Sequence, residues 1–319
     1  MKLELYTQHG ETVYMPCIKE KITWQTERKG VPGTLTFTVI PDSTLMLEEG
    51  DPVMLKVDDA SLFYGFVFKK KSKEDKAIEV TAYDQLRYLK NKDTYVYSNK
   101  TAGEVIQMIA DDFNMQTGVL ENTGYRIASR IEENTTLFDI IQNALDVTMQ
   151  NTGQIYVLYD DFGKIALKNI ASMQLNLLID NETAKSYDYT SSIDDNTYNR
   201  IKLTFDNEKT GKRDVYIAQD SNHMNAWGVL QYFETLQEGE NGAAKADALL
   251  SLYNSKTRNL SISNALGDNK VRAGCMLPVI LDLGDVQVKN MMLVEKCKHT
   301  FNDNEHYMDL TLRGGEFVA

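Results

Sequence analysis

Cysteine, proline and histidine are scarce in this sequence, which contains three, five and four of them among 319 residues. The cysteines, Cys17, Cys275 and Cys297, are far apart, and no two of them have the CxxC spacing of a redox or zinc motif. An odd number of separated cysteines excludes a fully paired disulfide scaffold. The pattern predicts buried free thiols in a protein that folds in a reducing compartment.

Long apolar runs are also missing. No stretch approaches the roughly 18 consecutive apolar residues of a membrane-spanning helix, so no membrane insertion is expected. The first six residues alternate between polar and apolar side chains, as in a strand, and lack the apolar segment of a signal peptide. We therefore expect the chain to fold in the bacterial cytoplasm.

The sequence also has no excess of basic residues. The chain has 34 Lys and Arg against 46 Asp and Glu, a net charge of −12, whereas nucleic-acid binding requires clustered cations. No specific nucleic-acid binding is expected. The basic cluster KKKSK at 69–73 has two interpretations, a polyanion site or a solvated loop. Glu74 and Asp75 follow it at a predicted turn, which favours the loop.

The pattern of apolar and turn residues predicts a mainly β protein with an α+β insertion. The chain is long enough for two or three domains. Short alternating runs at 35–39, 53–57, 62–68 and 78–83 predict strands of a small barrel or sandwich, with 69–75 as a charged hairpin tip.

The middle of the chain changes to helical spacing. Thr101 and Glu104 form a capping-box pattern before one helix, and a second helix begins near Thr135 or Thr136 and ends near Gly153. A hairpin over 154–167 follows, with its turn at 160–163. The last third predicts paired strands at 199–205 and 213–217, a helix at about 243–257, and further strands from Asn259 onwards.

The first and last segments share an order of features. Residues 35–38 resemble 260–263, 49–55 resemble 273–281, 65–69 resemble 292–296, and 78–81 resemble 308–311. The repeat predicts two similar small β-barrels flanking an α+β domain, with Gly50 equivalent to Gly274 and Val80 equivalent to Leu310. The predicted domains are 1–95, 96–188 and 189–319.

Several long runs carry a family resemblance: VTAYDQLRYLKNK at 80–92, LFDII at 137–141, YVLYDDFG at 156–163, TYNRIKL at 197–203, WGVLQY at 227–232 and VEKCKHTF at 294–301. With them the chain resembles the tail hub proteins of PBSX-like defective prophages and of related contractile-tail bacteriocins, within the phage late-control or baseplate-hub family. The resemblance covers nearly the whole chain.

The resemblance implies two tail-tube-like barrels around an α+β insertion. It also implies a homotrimer that joins the hexameric tail tube to the trimeric central spike and contacts other baseplate proteins. Such a protein is assembled in the cytoplasm and is found, after lysis, in the phage-like particle. The family supplies no catalytic, cofactor or metal residues, so a structural protein and not an enzyme is expected.

The histidines and cysteines near the C-terminus are the candidates for metal or nucleophile chemistry. A turn at Asp303-Asn304 would place Phe301 opposite His306, with His299 diagonally beside it on one face, so a metal site with Asp303 and Glu305 is one interpretation. A solvated hairpin is the favoured one. Cys297 shares a strand face with His299, but no orienting acid can be named for a nucleophile.

Acidic pairs offer an alternative function, a tail-associated peptidoglycan hydrolase. The pairs are at 111–112, 132–133, 160–161 and 194–195. Glycoside cleavage needs two carboxylates across a cleft, whereas adjacent side chains point in different directions. Asp160 is better explained by turn chemistry before Gly163. A third interpretation, a carbohydrate-binding module, would require exposed aromatic side chains on one face.

Overall fold

The computed structural model describes residues 1–72, 74–184, 186–194, 196–207, 211–236, 240–282, 287–302 and 304–314. These residues are mainly β structure, as predicted. Within these ranges, no helix has both the length and the apolar character that crossing a membrane requires.

Eight strands form the N-terminal part. They are β1 (Leu3–His9), β2 (Thr12–Tyr14), β3 (Cys17–Ile18), β4 (Ile22–Glu27), β5 (Thr34–Ile40), β6 (Pro52–Val57), β7 (Ala60–Ser72) and β8 (Ile78–Tyr83). Alternation places Val53, Leu55 and Val57 of β6 in the core. The charged hairpin tip predicted at 69–75 is partly wrong, because β7 continues to Ser72 and its last residues pair with β8.

The middle part contains two helices and short strands. Its elements are a 3-10 helix (Gln85–Lys90), β9 (Lys92–Lys100), α1 (Ala102–Asp112), β10 (Thr117–Leu120), β11 (Ile127–Thr136), α2 (Leu137–Thr152), β12 (Tyr156–Asp160), β13 (Ile165–Asn169) and a 3-10 helix (Ile170–Met173). The capping box of Thr101 and Glu104 is formed in both directions, and Thr136 caps α2. Each such cap contributes about 1 kcal/mol. Gly153 ends α2 with a left-handed φ of 70°.

The last third of the chain is again mainly β structure. Its elements are β14 (Ile179–Asp180), β15 (Ser186–Ser192), β16 (Arg200–Asn207), β17 (Lys212–Gln219), α3 (Ser221–Trp227), β18 (Gln231–Thr235), α4 (Gly242–Tyr253), β19 (Thr257–Leu266), β20 (Met276–Asp282), β21 (Gln287–Asn302) and β22 (Glu305–Gly314). The predicted pairing of β16 with β17 is confirmed. These two strands, however, form a separate sheet with β18, packed on α4, and are not part of the large sheet.

The large sheet contains two five-strand units with the same connectivity. In the first repeat the order is β4-β5-β8-β7-β6, and in the second it is β15-β19-β22-β21-β20. The pairing registers agree as well: Phe37 pairs with Val80, and Ile262 pairs with Leu310. Each repeat has a bulge at one equivalent residue, Phe68 in β7 and Glu295 in β21. The internal repeat inferred from the sequence is therefore present in the strand topology.

Gly50 and Gly274 are equivalent in detail. Both have a φ of 96°, and their backbone N–H groups donate to the carbonyl oxygens of Val67 and Val294 at 2.7 and 2.8 Å. The predicted match of Pro52 with Pro278 is wrong by two residues. Pro52 pairs with β7 at the position that Met276 takes on β21, because the chain continues from each glycine without an insertion.

The two repeats are joined edge to edge. Strand β4 of the first repeat pairs antiparallel with β21 of the second, from Ile22 opposite Phe301 to Glu27 opposite Lys296. Each repeat has its own hydrophobic core. The described strand pairings trace an open, branched path and do not close into rings, so the two predicted barrels are not confirmed.

The three cysteines are free, but they differ in burial. Cys275 and Cys297 are buried, whereas Cys17 is exposed on the short strand β3. The expectation that all three are buried is therefore wrong for Cys17, because β3 is only two residues long and lies at the margin of the sheet.

Candidate functional site

His299, Cys297 and His306 do come together, as their spacing predicted. Nδ1 of His299 lies 2.8 Å from Nε2 of His306, and Nε2 of His299 lies 3.1 Å from Sγ of Cys297. The pairing of Phe301 with His306 is also as predicted. The predicted solvated hairpin is wrong for His299, whose side chain is fully buried.

The hydrogen bonds fix the tautomers of both histidines. Nε2 of His299 lies 2.8 Å from the carbonyl oxygen of Val271, which can only accept, so this nitrogen donates its proton there. Nδ1 of His299 must then accept from Nε2 of His306. An imidazole that already carries a proton on Nε2 cannot take one from Cys297 at the same nitrogen.

Burial keeps this cluster neutral. Desolvation, with a smaller contribution from His306, lowers the pKa of His299 to about 3, and desolvation lowers that of His306 to about 4. Burial also raises the pKa of the Cys297 thiol well above its usual range. A protonated, inaccessible thiol is not a nucleophile.

The described residues also provide no ligand set for a metal ion. Within the described residues, no group of three or more His, Cys, Asp or Glu side chains could hold a metal ion. Asp303 lies outside those residues, and Glu305 is exposed in the strand that follows the turn. The histidines instead form part of the packing between the repeats.

The junction between the repeats is the contact that these histidines support. Trp24 of β4 stacks on His299 of β21, with ring centroids 4.9 Å apart. At the other end of the junction, the Arg28 guanidinium makes two hydrogen bonds, of 2.8 and 2.9 Å, with the carboxylate of Glu295. The hydroxyl of Thr26 accepts a hydrogen bond from the Ala273 N–H. Stacking, a bidentate ion pair and backbone pairing together fix the register.

In three of the acidic pairs, one carboxylate accepts a hydrogen bond from a residue outside the pair. Asp112 accepts from the Tyr95 hydroxyl, Glu132 from the Asn143 amide, and Asp160 from the Gly163 N–H. The turn interpretation of Asp160 is thereby confirmed. Asp195 lies outside the described residues, so the pair that it forms with Asp194 cannot be compared. None of these three hydrogen bonds joins the two members of an acidic pair.

Sequence reasoning missed a buried carboxylate pair, Asp84 and Asp160. Asp84 accepts from the N–H groups of Gly33 and Leu86, at 2.8 and 3.0 Å, and Arg272 donates to the carbonyl oxygen of Asp160 at 2.9 Å. Burial raises the pKa of both carboxyls, that of Asp160 to about 6. The three side chains come from the first repeat, the middle part and the second repeat, so no local motif could reveal them.

The aromatic residues of β7 bear on the carbohydrate interpretation. Tyr64, Phe66 and Phe68 lie on one face of the strand, next to Tyr88, which is partly exposed. Neighbouring rings in this row are inclined by 55 to 77°. Rings inclined to one another in this way pack against each other and do not form one flat surface of the kind that stacks on a sugar.

The strand edges without a partner among the described residues include one in each repeat of the large sheet. Strand β15 pairs with β19 on one side only, and most of its side chains are exposed. The last four residues of β7, from Lys69 to Ser72, pair with β8 on one side only. Exposed strand edges are templates for pairing with another chain.

Comparison with known proteins identifies the family. The model of the YQBQ-like family matches residues 22–313. The chain belongs to this YQBQ-like family. The YQBQ-like chain is 33% identical over 310 residues to the phage-like element PBSX protein XkdQ of Bacillus subtilis, a match that covers 94% of both chains.

Solved structures show the same fold at low sequence identity. The tail protein from Neisseria meningitidis MC58 matches 99% of this YQBQ-like chain and 98% of its own, with a TM-score of 0.72 and 11% identity. The E. coli c3393 protein, described as a type VI secretion component with structural similarity to T4 tail proteins gp27 and gp5, matches 99% of this chain and 78% of its own. Its TM-score is 0.58 at 10% identity. The fold is therefore that of phage tail proteins.

Proposed function

We propose that this YQBQ-like protein is the structural hub of a contractile, phage-like tail, a homotrimer that joins the hexameric tail tube to the trimeric central spike. The observation that carries the proposal is the internal repeat, with one strand order, one register and one bulge position in both units. Three chains with two like units each present six similar surfaces around one axis. Six surfaces suit a hexameric tube, and three whole chains suit a trimeric spike.

The relatives support a place in the tail. XkdQ is named as a PBSX phage-like element protein, and the fold recurs in a protein titled as a tail protein and in one likened to gp27 and gp5. In the proposed assembly each repeat is a tube-like barrel, over about 1–95 and 189–319, and the middle domain, about 96–188, projects from them. The partners are the tube protein, the spike and other baseplate proteins. Assembly takes place in the cytoplasm, and lysis releases the particle.

The proposed role is not enzymatic. The neutral cluster of buried Cys297 and His299 with half-buried His306, and the acidic residues that hydrogen-bond outside their pairs, give no support to the alternative, a peptidoglycan hydrolase. We expect no clearing when the purified protein is run in a gel that contains bacterial cell walls. Clearing that disappears on substitution of a single carboxylate would establish the enzyme instead.

Native mass spectrometry across a concentration series tests the assembly. We expect a species of three 36.2 kDa chains to grow with concentration, with monomer at the dilute end. A stable dimer or tetramer as the final species would contradict the proposal, because neither gives six equivalent repeats. A monomer at the highest soluble concentration, with purified tube protein present, would contradict it as well.

A further inference from the structure

The contact between the two repeats within one chain indicates how a second copy of the chain docks. This inference rests on the proposed ring of three chains, in which repeats of the two kinds alternate. The rotation that carries the first repeat onto the second must then carry the second repeat onto the first repeat of the next chain. The same rotation carries the β4–β21 junction onto a junction between chains.

The pairing registers give the equivalent strands residue by residue. Gln25 of β4 pairs with Thr34 of β5, and Thr190 of β15 pairs with Asn259 of β19, at the matching position of the second repeat. Strand β15 is therefore the equivalent of β4, with Thr190 in the place of Gln25.

The other side of the junction follows in the same way. Lys298 of β21 pairs with Asp309 of β22, and Lys71 of β7 pairs with Glu79 of β8, again at matching positions. The end of β7 is therefore the equivalent of the part of β21 that pairs with β4. In the intact junction Gln25 is opposite Lys298.

We propose that β15 of one copy pairs antiparallel with the end of β7 in the next copy, with Thr190 opposite Lys71. Both strand edges that this contact uses lack a partner in the described large sheet. Each chain offers one edge of each kind, so the contact is head to tail, and in the proposed trimer three such contacts close the ring. The path of paired strands then continues from chain to chain.

The side chains at the equivalent positions are complementary. The bidentate pair of Arg28 and Glu295 in the intact junction is replaced by Ile193 and Phe68, so that an apolar contact takes the place of an ion pair. Ser191 stands in the place of Thr26 and keeps the hydroxyl that accepts a backbone hydrogen bond there. Both changes preserve a matched contact at the same place.

The charges on the two edges are opposite. Lys69 and Lys71 are exposed on β7, and Asp188 and Asp194 are exposed on and just after β15. In the proposed register, Lys71 lies diagonally across from Asp188 and Lys69 diagonally across from Asp194, on one face of the sheet. Two lysines of the basic cluster, Lys69 and Lys71, thus lie near acidic side chains of another copy.

Cysteine cross-linking tests the register. The variant carries Lys71→Cys and Thr190→Cys, with Cys17→Ser to remove the exposed thiol. The matched control is Gln25→Cys with Lys298→Cys, the equivalent pair within one chain, in the same Cys17→Ser background. Opposed residues of antiparallel strands have the Cα separation that a disulfide requires. A second control, Lys71→Cys with Ser191→Cys, shifts one cysteine to the opposite face.

On mild oxidation we expect the control within one chain to close without a change in chain number. The Lys71→Cys, Thr190→Cys variant should give linked dimers and trimers in a non-reducing denaturing gel, and the face-shifted control should give far less of either. Trimers in native mass spectrometry without this cross-link would overturn the register and leave the proposed hub intact. Cross-linked chains that grow beyond three would support the strand pairing and contradict the trimer. Monomers without any cross-link would overturn both.

Discussion

The indole of Trp24 stacks on the imidazole of His299 at an interplanar angle of 17°, and this contact lies across the junction between the two repeats. The imidazole must stay neutral there, because it is buried and has one nitrogen occupied as a donor to Val271 and the other as an acceptor from His306. A second proton on His299 would remove the acceptor and place a charge between the two cores.

Acid should therefore weaken the fold through His299. Its folded pKa of about 3 lies below the unfolded value near 6.5, so the unfolded chain binds the proton more readily, and stability is lost as pH falls below about 6.5. Between pH 7 and 5 the loss from this one group should be about 2 kcal/mol. Urea unfolding at the two pH values measures it.

His299→Gln is the matching variant, because its amide nitrogen can still donate to Val271. We expect it to be less stable than the wild type at pH 7 and to lose less stability on going to pH 5. His306, whose pKa of about 4 is also lowered by burial, keeps part of the dependence in both proteins. An equal loss in wild type and variant would show that His299 does not carry the effect.

Asp160 should have the opposite sign. Its raised pKa of about 6 means that the folded chain holds the proton more tightly than the unfolded one, so stability falls as pH rises from about 4 to 6. Asp160→Asn keeps an acceptor for the Gly163 N–H and removes the buried charge, and should stabilise the protein at pH 7 by about 1–3 kcal/mol. Asp161→Asn, at the exposed neighbour, is the control. No gain at pH 7 for Asp160→Asn would contradict the buried charge.

Cysteine accessibility gives a third prediction. Cys17 is exposed, whereas Cys275 and Cys297 are buried and burial raises the pKa of both thiols. A thiol reagent should label one cysteine per chain in the native protein and three after denaturation, and Cys17→Ser should abolish the native reaction. Fewer than three free thiol groups in the denatured protein, under conditions that prevent oxidation during handling, would indicate a disulfide.

Much of the fold follows from local sequence signals. Helix α1 begins at the Thr101 capping box and α2 ends at Gly153, as their caps predicted, because caps act within a single turn of the chain. The repeat was visible from four short runs, because alternating strands with fixed turns keep their order even at low identity. The sequence comparison matched Pro52 with Pro278 because the two residues are identical. The strand pairing instead makes Met276, two positions earlier, the equivalent of Pro52.

The candidate site depended on long-range contacts and was less predictable. The sequence indicated that His299 and His306 would meet, since both lie on one hairpin, but burial by Trp24 comes from a strand 275 residues earlier. Asp84, Asp160 and Arg272 are likewise separated along the chain. The separate sheet of β16, β17 and β18 was missed because a hairpin pattern does not say which sheet the hairpin joins.

Gly50 and Gly274 provide the last prediction, because they share a backbone conformation but not their surroundings. A Cβ at Gly50 would meet no atom within 4 Å, whereas one at Gly274 would lie 2.6 Å from Cγ1 of the buried Val157. Gly50→Ala should cost only the backbone strain of a φ of 96°, about 1–3 kcal/mol. Gly274→Ala should cost that strain and, in addition, roughly 1–3 kcal/mol for overpacking against the middle part of the chain.

Urea unfolding of the two alanine variants separates strain from overpacking. Adding Val157→Ala to Gly274→Ala should recover little in total stability, since it opens the core, but the two changes should be less than additive, because the small side chain makes room for the new methyl group. Combining Val157→Ala with Gly50→Ala is the control and should be additive, because Gly50 has no neighbour at that position. Equal losses for Gly50→Ala and Gly274→Ala, with additivity in both pairs, would mean that the second repeat does not pack on the middle part as the contact with Val157 requires.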